Sequence, residues 1–195
     1  MAWVMQERCE SVKPMNHFTS AAVLGGGPSL PEDLRRLPPG CLLISVNDHA
    51  FHHCEPHVLV YQDELDRPWS AAVKAVAETF DGLVVCPFEE SHVTLPHGQW
   101  WDGNFSSALA TWFALWSGYD PVLLCGMDCY QGEVKYCHPR PDFDHVIFRL
   151  ELHHHLEKWR EAFVTCPHAE RIRAVSGPLV EVFGVWEGVQ DAAAV

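Results

Sequence analysis

Val23-Leu24-Gly25-Gly26-Gly27-Pro28-Ser29-Leu30 is an apolar run that breaks into three glycines just before a helix is expected to begin. A strand that passes through a glycine turn into a helix presents free backbone N–H groups at the positive end of the helix dipole. Glycines let a phosphate approach the main chain with no Cβ in the way, and they tolerate positive φ. The octet matches neither GxGxxG nor the Walker pattern with its lysine. Alone it reads equally well as an ordinary strand-to-helix turn, and its neighbours have to decide.

Apolar runs like Ala21–Leu24 recur on both sides of it: Cys41–Val46 (CLLISV), His57–Tyr61 (HVLVY), Gly82–Cys86 (GLVVC), Pro121–Cys125 (PVLLC) and a short one near Ile172–Val175. Helical patterns lie between them. Pro31–Leu37 has acids in its first turn and arginines toward its end, and Pro38-Pro39-Gly40 stops it. Pro68–Phe80 places Trp69, Val73, Val76 and Phe80 on one side. Ser106–Ser117 (SSALATWFALWS) is almost wholly apolar and is expected to be buried on most of its surface, Trp112 and Trp116 included. A last helix is expected from about Val146 to Phe163.

Strands that are apolar throughout, separated by helices or long crossovers, indicate a parallel sheet covered on both faces. The expected fold is therefore α/β, a Rossmann-like three-layer sandwich with a mostly parallel central sheet. Residues 1–18 read as an arm, 19–185 as a single nucleotide-binding domain and 186–195 as a tail. Polar residues collect just past the strands' carboxyl ends, at Gly25–Ser29, Asn47-Asp48, Gln62-Asp63 and Asp128. In open α/β sheets that edge is where ligands bind, so a nucleotide-type ligand is expected there.

The bulk composition narrows the function classes. The 195 residues suit one domain with a full core. Net charge is −13, which argues against a duplex-binding surface built on Lys and Arg; no nucleic-acid partner is expected. Eight cysteines include no CxxC pair, and Cys41, Cys86 and Cys125 sit inside apolar runs as buried thiols do. No basic segment followed by an apolar core opens the chain, and no apolar stretch is long enough to span a membrane. A reducing cytoplasm, bacterial or that of an infected host, is the expected location.

Three blocks give the chain a family likeness: Gly25-Gly26-Gly27-Pro28-Ser29-Leu30; Ser45-Val46-Asn47-Asp48 with Val60-Tyr61-Gln62-Asp63; and Phe105-Ser106-Ser107 leading through a buried helix and strand to Gly126-Met127-Asp128-Cys129-Tyr130-Gln131, with Tyr136 beyond. In these the chain resembles the bacterial sialyltransferases that use a CMP-linked sugar donor. It also resembles their wider superfamily of motility accessory factors and 6-hydroxymethylpterin diphosphokinase-like proteins. The likeness covers roughly residues 19–136 and fades afterwards. Sialyltransferases usually carry Asn where this chain has Gly26, and Asn where it has Gln62.

The resemblance implies a mechanism and a set of residues. The turn Gly25, Gly26, Gly27, Pro28 and Ser29 would lie under the nucleotide phosphate and ribose. Asn47 and Gln62 would hydrogen-bond nucleotide or sugar. Ser106 and Ser107 would offer hydroxyls and N–H groups, and Gly126 and Asp128 would complete the nucleotide site. Tyr130 and Tyr136 match the tyrosine pair that donates to the departing phosphate, where preorganised O–H donors can stabilise charge without a metal. A histidine after the second tyrosine would take the acceptor's proton. His138, His145 and His153 are the candidates, and His145 is favoured by its place before the long helix. The lid that carries this histidine in the family is cut short here.

The implied activity is transfer of sialic acid or a related acidic sugar from a nucleotide-activated donor to a hydroxyl on a small molecule or glycan, with no cofactor required. Asp63 and Asp128 at strand ends would instead hold Mg²⁺ on a diphosphate if the chain were a diphosphokinase-type phosphotransferase; otherwise Asp128 caps N–H groups of its own loop. A reduced relative that binds nucleotide without turnover is the non-enzymatic alternative, and a homo-oligomer is left open.

Other residue groups carry blander readings. His52-His53-Cys54 with His57, and His153-His154-His155, lack the spacing of an established zinc site and read as solvated or edge-of-core histidines. Trp100-Trp101 either stacks a sugar or base or plugs the sheet edge. Neither Ser106 nor Ser107 sits in a GxSxG elbow, so a hydrolytic serine is not expected.

Overall fold

The computed structural model describes residues 17–93, 105–139 and 150–188. His145, Trp100-Trp101 and the expected start of the last helix lie outside these residues. One sheet of six strands organises the chain: β1 Ala21–Leu24, β2 Leu42–Val46, β3 Val58–Val60, β4 Leu83–Val85, β5 Val122–Cys125 and β6 Ile172–Ala174. Every pairing is parallel, and the spatial order is β4-β3-β2-β1-β5-β6. This is the expected α/β sandwich, each strand falling within or on its apolar run.

Side-chain alternation along β1 divides the core in two. Ala21 and Val23 point to one face with Leu42, Ile44 and Val46 of β2, Val58 and Val60 of β3, and Val122 and Leu124 of β5. Helices α3 Ser106–Trp116 and α4 Leu152–Phe163 cover that face through Leu109, Trp112, Phe113, Leu156 and Trp159, and α5 Val180–Phe183 packs beside them. Ala22 and Leu24 point to the other face, toward Leu30 of α1 Leu30–Leu34. Leu59 and Val84 continue that face under Val73 of α2 Ala71–Ala77. Both faces are thus dry, as strands without polar alternation require.

Helix α3 carries its apolar surface nearly all round because Ala108 through Leu115 are all buried. Trp112 and Trp116 stack with ring centroids 5.5 Å apart, Trp112 fully inside and Trp116 at the edge. The packed body extends past the expected boundaries at both ends. Phe18 packs on the core and against the His57 ring, and the Trp186 N–H donates to Ala174 O at 2.8 Å. Among the described residues, no helix is long and apolar enough to cross a membrane.

The topology fixes where a ligand can enter. From β1 the chain steps outward through β2 and β3 to β4, and after α3 it returns to the opposite side of β1 as β5. The loops leaving β1 and β5 therefore diverge to opposite faces and open a crevice at their carboxyl ends, the switch point of an open parallel sheet.

Candidate functional site

A cavity of about 490 Å³ occupies that crevice, within the size range of small-ligand sites. Its floor is the β1 turn, Gly25 to Gly27, and the β5 turn, Gly126 to Tyr130. Asn47 and His49 after β2, and Gln62 and Asp63 after β3, form one wall. Ser106 and Ser107 open helix α3 into it, and Tyr136, Lys135, His155, Lys158 and Trp159 close the far side. Residues from turns more than a hundred positions apart thus meet at one rim.

The two floor turns are stitched together. Gly25 N–H donates to Cys125 O and Gly27 N–H to Gly126 O, each at 2.8 Å. Ser29 donates to Asp128 Oδ2 through both its N–H (3.1 Å) and its hydroxyl (2.8 Å). Pro28 and Ser29, expected at the site, are not among the residues that line the cavity. Among the described residues this leaves the Gly26 N–H as the amide of the turn with no protein acceptor.

Protein atoms occupy the places where side chains on these glycines would go. A Cβ on Gly26 would stand 2.6 Å from His49 Nδ1, and one on Gly27 would run into the Asp128 carboxylate. The glycines serve close approach here; Gly126, at φ 63°, is the one on the cavity floor that needs the left-handed region.

Three non-glycine residues around the cavity, Asn47, Cys129 and Tyr130, also have left-handed backbones, with φ of 54°, 51° and 55°. Such conformations cost free energy for residues with a Cβ and gather where side chains must be aimed. At Asn47 the turn is held by Ser45, whose hydroxyl donates to Asn47 O at 2.8 Å and accepts the Ala50 N–H at 3.2 Å. Two left-handed residues in succession at Cys129 and Tyr130 turn the β5 loop so that the Tyr130 ring meets the Tyr136 ring edge-on, 5.9 Å between centroids.

Among the described residues no side chain caps the first turn of α3: Phe105, in an extended conformation, precedes it and makes no side-chain cap bond. Its free N–H groups therefore point out of the helix end that Ser106 and Ser107 bring to the cavity. Lys158 reaches the cavity from α4, and Lys135 Nζ donates to Tyr130 O and Gly132 O at 2.6 and 2.7 Å. In a chain of net charge −13 two lysines and a helix N-terminus thus meet at one cavity, beside the carboxylates of Asp63 and Asp128.

Gln62 lines the cavity with a buried Oε1 that meets no donor among the described residues. Tyr61 beside it is buried and donates its hydroxyl to Glu90 Oε1 at 3.0 Å. Burial first, then Cys86 and Glu90, push its phenol well above the usual range, so it stays protonated. Burial, aided by the Asp128 charge, pushes the Cys129 thiol up to about 12. That leaves Cys129 without the thiolate a nucleophile needs.

No family model, curated protein or solved structure matches the chain.

Gly25, Gly26, Gly27, Asn47, Gln62, Ser106, Ser107, Gly126, Asp128, Tyr130 and Tyr136, all expected from the sequence, line one cavity. His153 does not; it is exposed and pairs with Glu151 at 3.3 Å. His138 is buried beside Tyr136 and His49. His57 does not join His52 and His53 in a ligand set, because its Nδ1 accepts the Leu43 N–H at 3.0 Å.

His49, Lys135 and Lys158 are cavity residues that no sequence motif singled out, and His155, expected as a solvated or edge-of-core histidine, lines the cavity with them. His155, Lys158 and Trp159 stand at i, i+3 and i+4 on α4, so helical spacing with the buried Leu156 and Trp159 was the available signal.

Proposed function

We propose that the chain is a glycosyltransferase-like enzyme. It moves a sugar, sialic acid or a related acidic sugar, from a nucleotide-activated donor, CMP-linked in the favoured case, to a hydroxyl acceptor. The carrying observation is the meeting of Asn47, Gln62, Ser106, Ser107, Tyr130 and Tyr136 around one cavity at the β1/β5 switch point.

In this reading the uncapped end of α3, the Gly26 N–H and Lys158 hold the donor's phosphate. The acceptor oxygen attacks the anomeric carbon, the bond from that carbon to the phosphate oxygen breaks, and the phosphate leaves with the electron pair. Tyr130 and Tyr136 donate hydrogen bonds to that leaving oxygen as its charge grows. The acceptor's proton goes to an imidazole. Among the described residues His155 is the cavity histidine beside Tyr130, with 5.8 Å between ring centroids, and it takes that role; His145 lies outside the described residues.

The Mg²⁺-dependent phosphotransferase reading is weaker, because the Asp128 carboxylate is already engaged by Ser29. Of the two carboxylates that line the cavity, that leaves Asp63 for an ion.

A thermal-shift screen across CMP, CDP, UDP, GDP, ADP and ATP, with and without Mg²⁺, tests the reading. Stabilisation by a cytidine nucleotide without Mg²⁺, followed by EDTA-resistant consumption of CMP-sialic acid with an acceptor, is expected. Stabilisation that needs Mg²⁺ and ATP would replace it with phosphotransfer. Tight nucleotide binding with intact donor after long incubation would replace it with a protein that binds without turnover.

A further inference from the structure

Beside the cavity, Asp48, His49 and His138 form a buried trio whose ligand atoms all lie within 4.8 Å of one another. The chain brings them together by two turns. Left-handed Asn47 reverses the chain after β2 and leads into Asp48 and the 3-10 turn His49–His52. Eighty-nine residues later, the Cys137 N–H donates to Gly26 O at 2.9 Å and lays the following His138 against His49, with 2.9 Å between His49 Nδ1 and His138 Nε2.

We infer that Asp48, His49 Nδ1 and His138 Nε2 are the protein ligands of a zinc-type divalent transition metal ion. Two features of the trio support this. Its members are only 3, 5 and 7 % exposed, and a carboxylate this deeply buried is held by partners or by a metal. His138 Nδ1 stands 3.2 Å from Pro139 O and, as donor to that carbonyl, leaves the Nε2 lone pair facing the trio. This is the outer hydrogen bond that fixes the tautomer of metal-ligating histidines.

His52 completes the surround. Its ring stacks on His138 at 4.0 Å and its Nε2 lies 3.5 Å from Asp48 Oδ2, where it orients the carboxylate.

Two imidazoles and one carboxylate suit Zn²⁺ or Co²⁺, whereas Mg²⁺ and Ca²⁺ take oxygen ligands. Zn–N and Zn–O bonds of about 2.0–2.2 Å put tetrahedral ligands roughly 3.3 Å apart. The two nitrogens then separate by a few tenths of an ångström and the carboxylate draws in. Three protein ligands leave a fourth position for water. Bound there, the ion would tie the segment carrying Tyr136, whose ring stacks on His49 at 5.4 Å, to the end of β2.

Cobalt titration of the tag-free chain tests the site. One Co²⁺ per chain with visible d–d bands, displaced by Zn²⁺, is expected, together with a rise in Tm on adding Zn²⁺. His49→Ala with His138→Ala should abolish the bands and the Tm rise, and His153→Ala with His154→Ala should leave both.

X-ray absorption on the zinc-loaded wild-type chain decides the matter even where the first double variant does not fold. Two imidazoles with oxygen donors are expected. A sulfur ligand, four imidazoles, bands that survive in the His49/His138 variant, or no uptake at about a hundred micromolar Co²⁺ would overturn the proposal. The readouts are metal binding alone, so their failure would leave the nucleotide cavity standing, and failure of every nucleotide to bind would leave the metal site standing.

Discussion

Asp128 Oδ2 accepts both the backbone N–H and the hydroxyl of Ser29, 99 residues earlier in the chain. The same hydroxyl lies 3.1 Å from Asp33 Oδ2, and Asp33 Oδ2 also accepts the Gly126 N–H at 2.9 Å. Two carboxylates thus clamp the β1 and β5 turns against each other, and this clamp sets the cavity floor. Asp128→Ala strands the Ser29 N–H in a partly buried position, which costs about 1–3 kcal/mol. Urea denaturation should show that loss, and Asp128→Asn, which keeps an acceptor oxygen, should recover most of it. Equal stability of wild type and Asp128→Ala would mean the clamp does not hold the turns.

Asn47 separates backbone strain from ligand contact. Its φ of 54° is tolerated by Asn, costs a residue such as Ala about 1 kcal/mol, and costs Gly nothing sterically. Asn47→Gly is expected to keep the wild-type urea midpoint while losing nucleotide affinity, since the side chain lines the cavity. Asn47→Ala is expected to lose both. Unchanged nucleotide binding in Asn47→Gly would remove the side chain from the site.

The sheet and the cavity floor were legible because each strand is a contiguous apolar run and each turn residue follows directly at its carboxyl end. Local pattern carries that much. The same logic could not find His49 against His138, because no spacing within either segment announces a partner 89 residues away. Nor could it fix which side of α4 faces inward: three consecutive histidines differ only in azimuth, and packing of Leu156 and Trp159 on the core selects His155 and Lys158 for the cavity. The glycine turn was read correctly in place and incompletely in cause. Its glycines make room for His49 and Asp128 as well as for a ligand, and that crowding exists only once β1, β2 and β5 are side by side.

Cys129 lines the cavity yet is expected to be inert. With its thiol pushed up to about 12 by burial and by Asp128, roughly one molecule in ten thousand carries the thiolate at pH 8. Cys166, pushed up to about 11 by burial, should behave alike. Iodoacetamide at pH 8 followed by peptide mass spectrometry should find both unmodified in the native protein and modified in urea. Rapid native labelling of Cys129 would show an open, thiolate-bearing site.

His57 makes stability sensitive to acid. Partial burial, then the nearby His17, lower its affinity for a proton below that of a free imidazole. Independently, its Nδ1 lone pair accepts the Leu43 N–H at 3.0 Å. The unfolded chain therefore binds this proton first. The contribution to stability is fully present above about pH 6.5 and is lost as pH falls from there through the lowered native value. Tm measured from pH 7.5 to 5 should fall less steeply in His57→Asn, which keeps an acceptor for Leu43 without the titration. Parallel curves would assign the acid sensitivity to other groups.

Tyr130 and Tyr136 carry the proposed chemistry through their hydroxyls alone, so phenylalanine is the right probe. It keeps the rings that pack edge-on against each other and, at Tyr136, on His49. Loss of one preorganised donor to a developing oxyanion lowers kcat about 10²–10³-fold. Each single variant should show such a drop with KM for the donor nearly unchanged. The double variant should lose less than the product of the two, because both hydroxyls serve one oxygen. A donor whose leaving phosphate is less basic needs less stabilisation, so the penalty for Tyr130→Phe should shrink with it. A transfer rate untouched by both substitutions would leave the tyrosines as cavity walls and require another source of charge stabilisation.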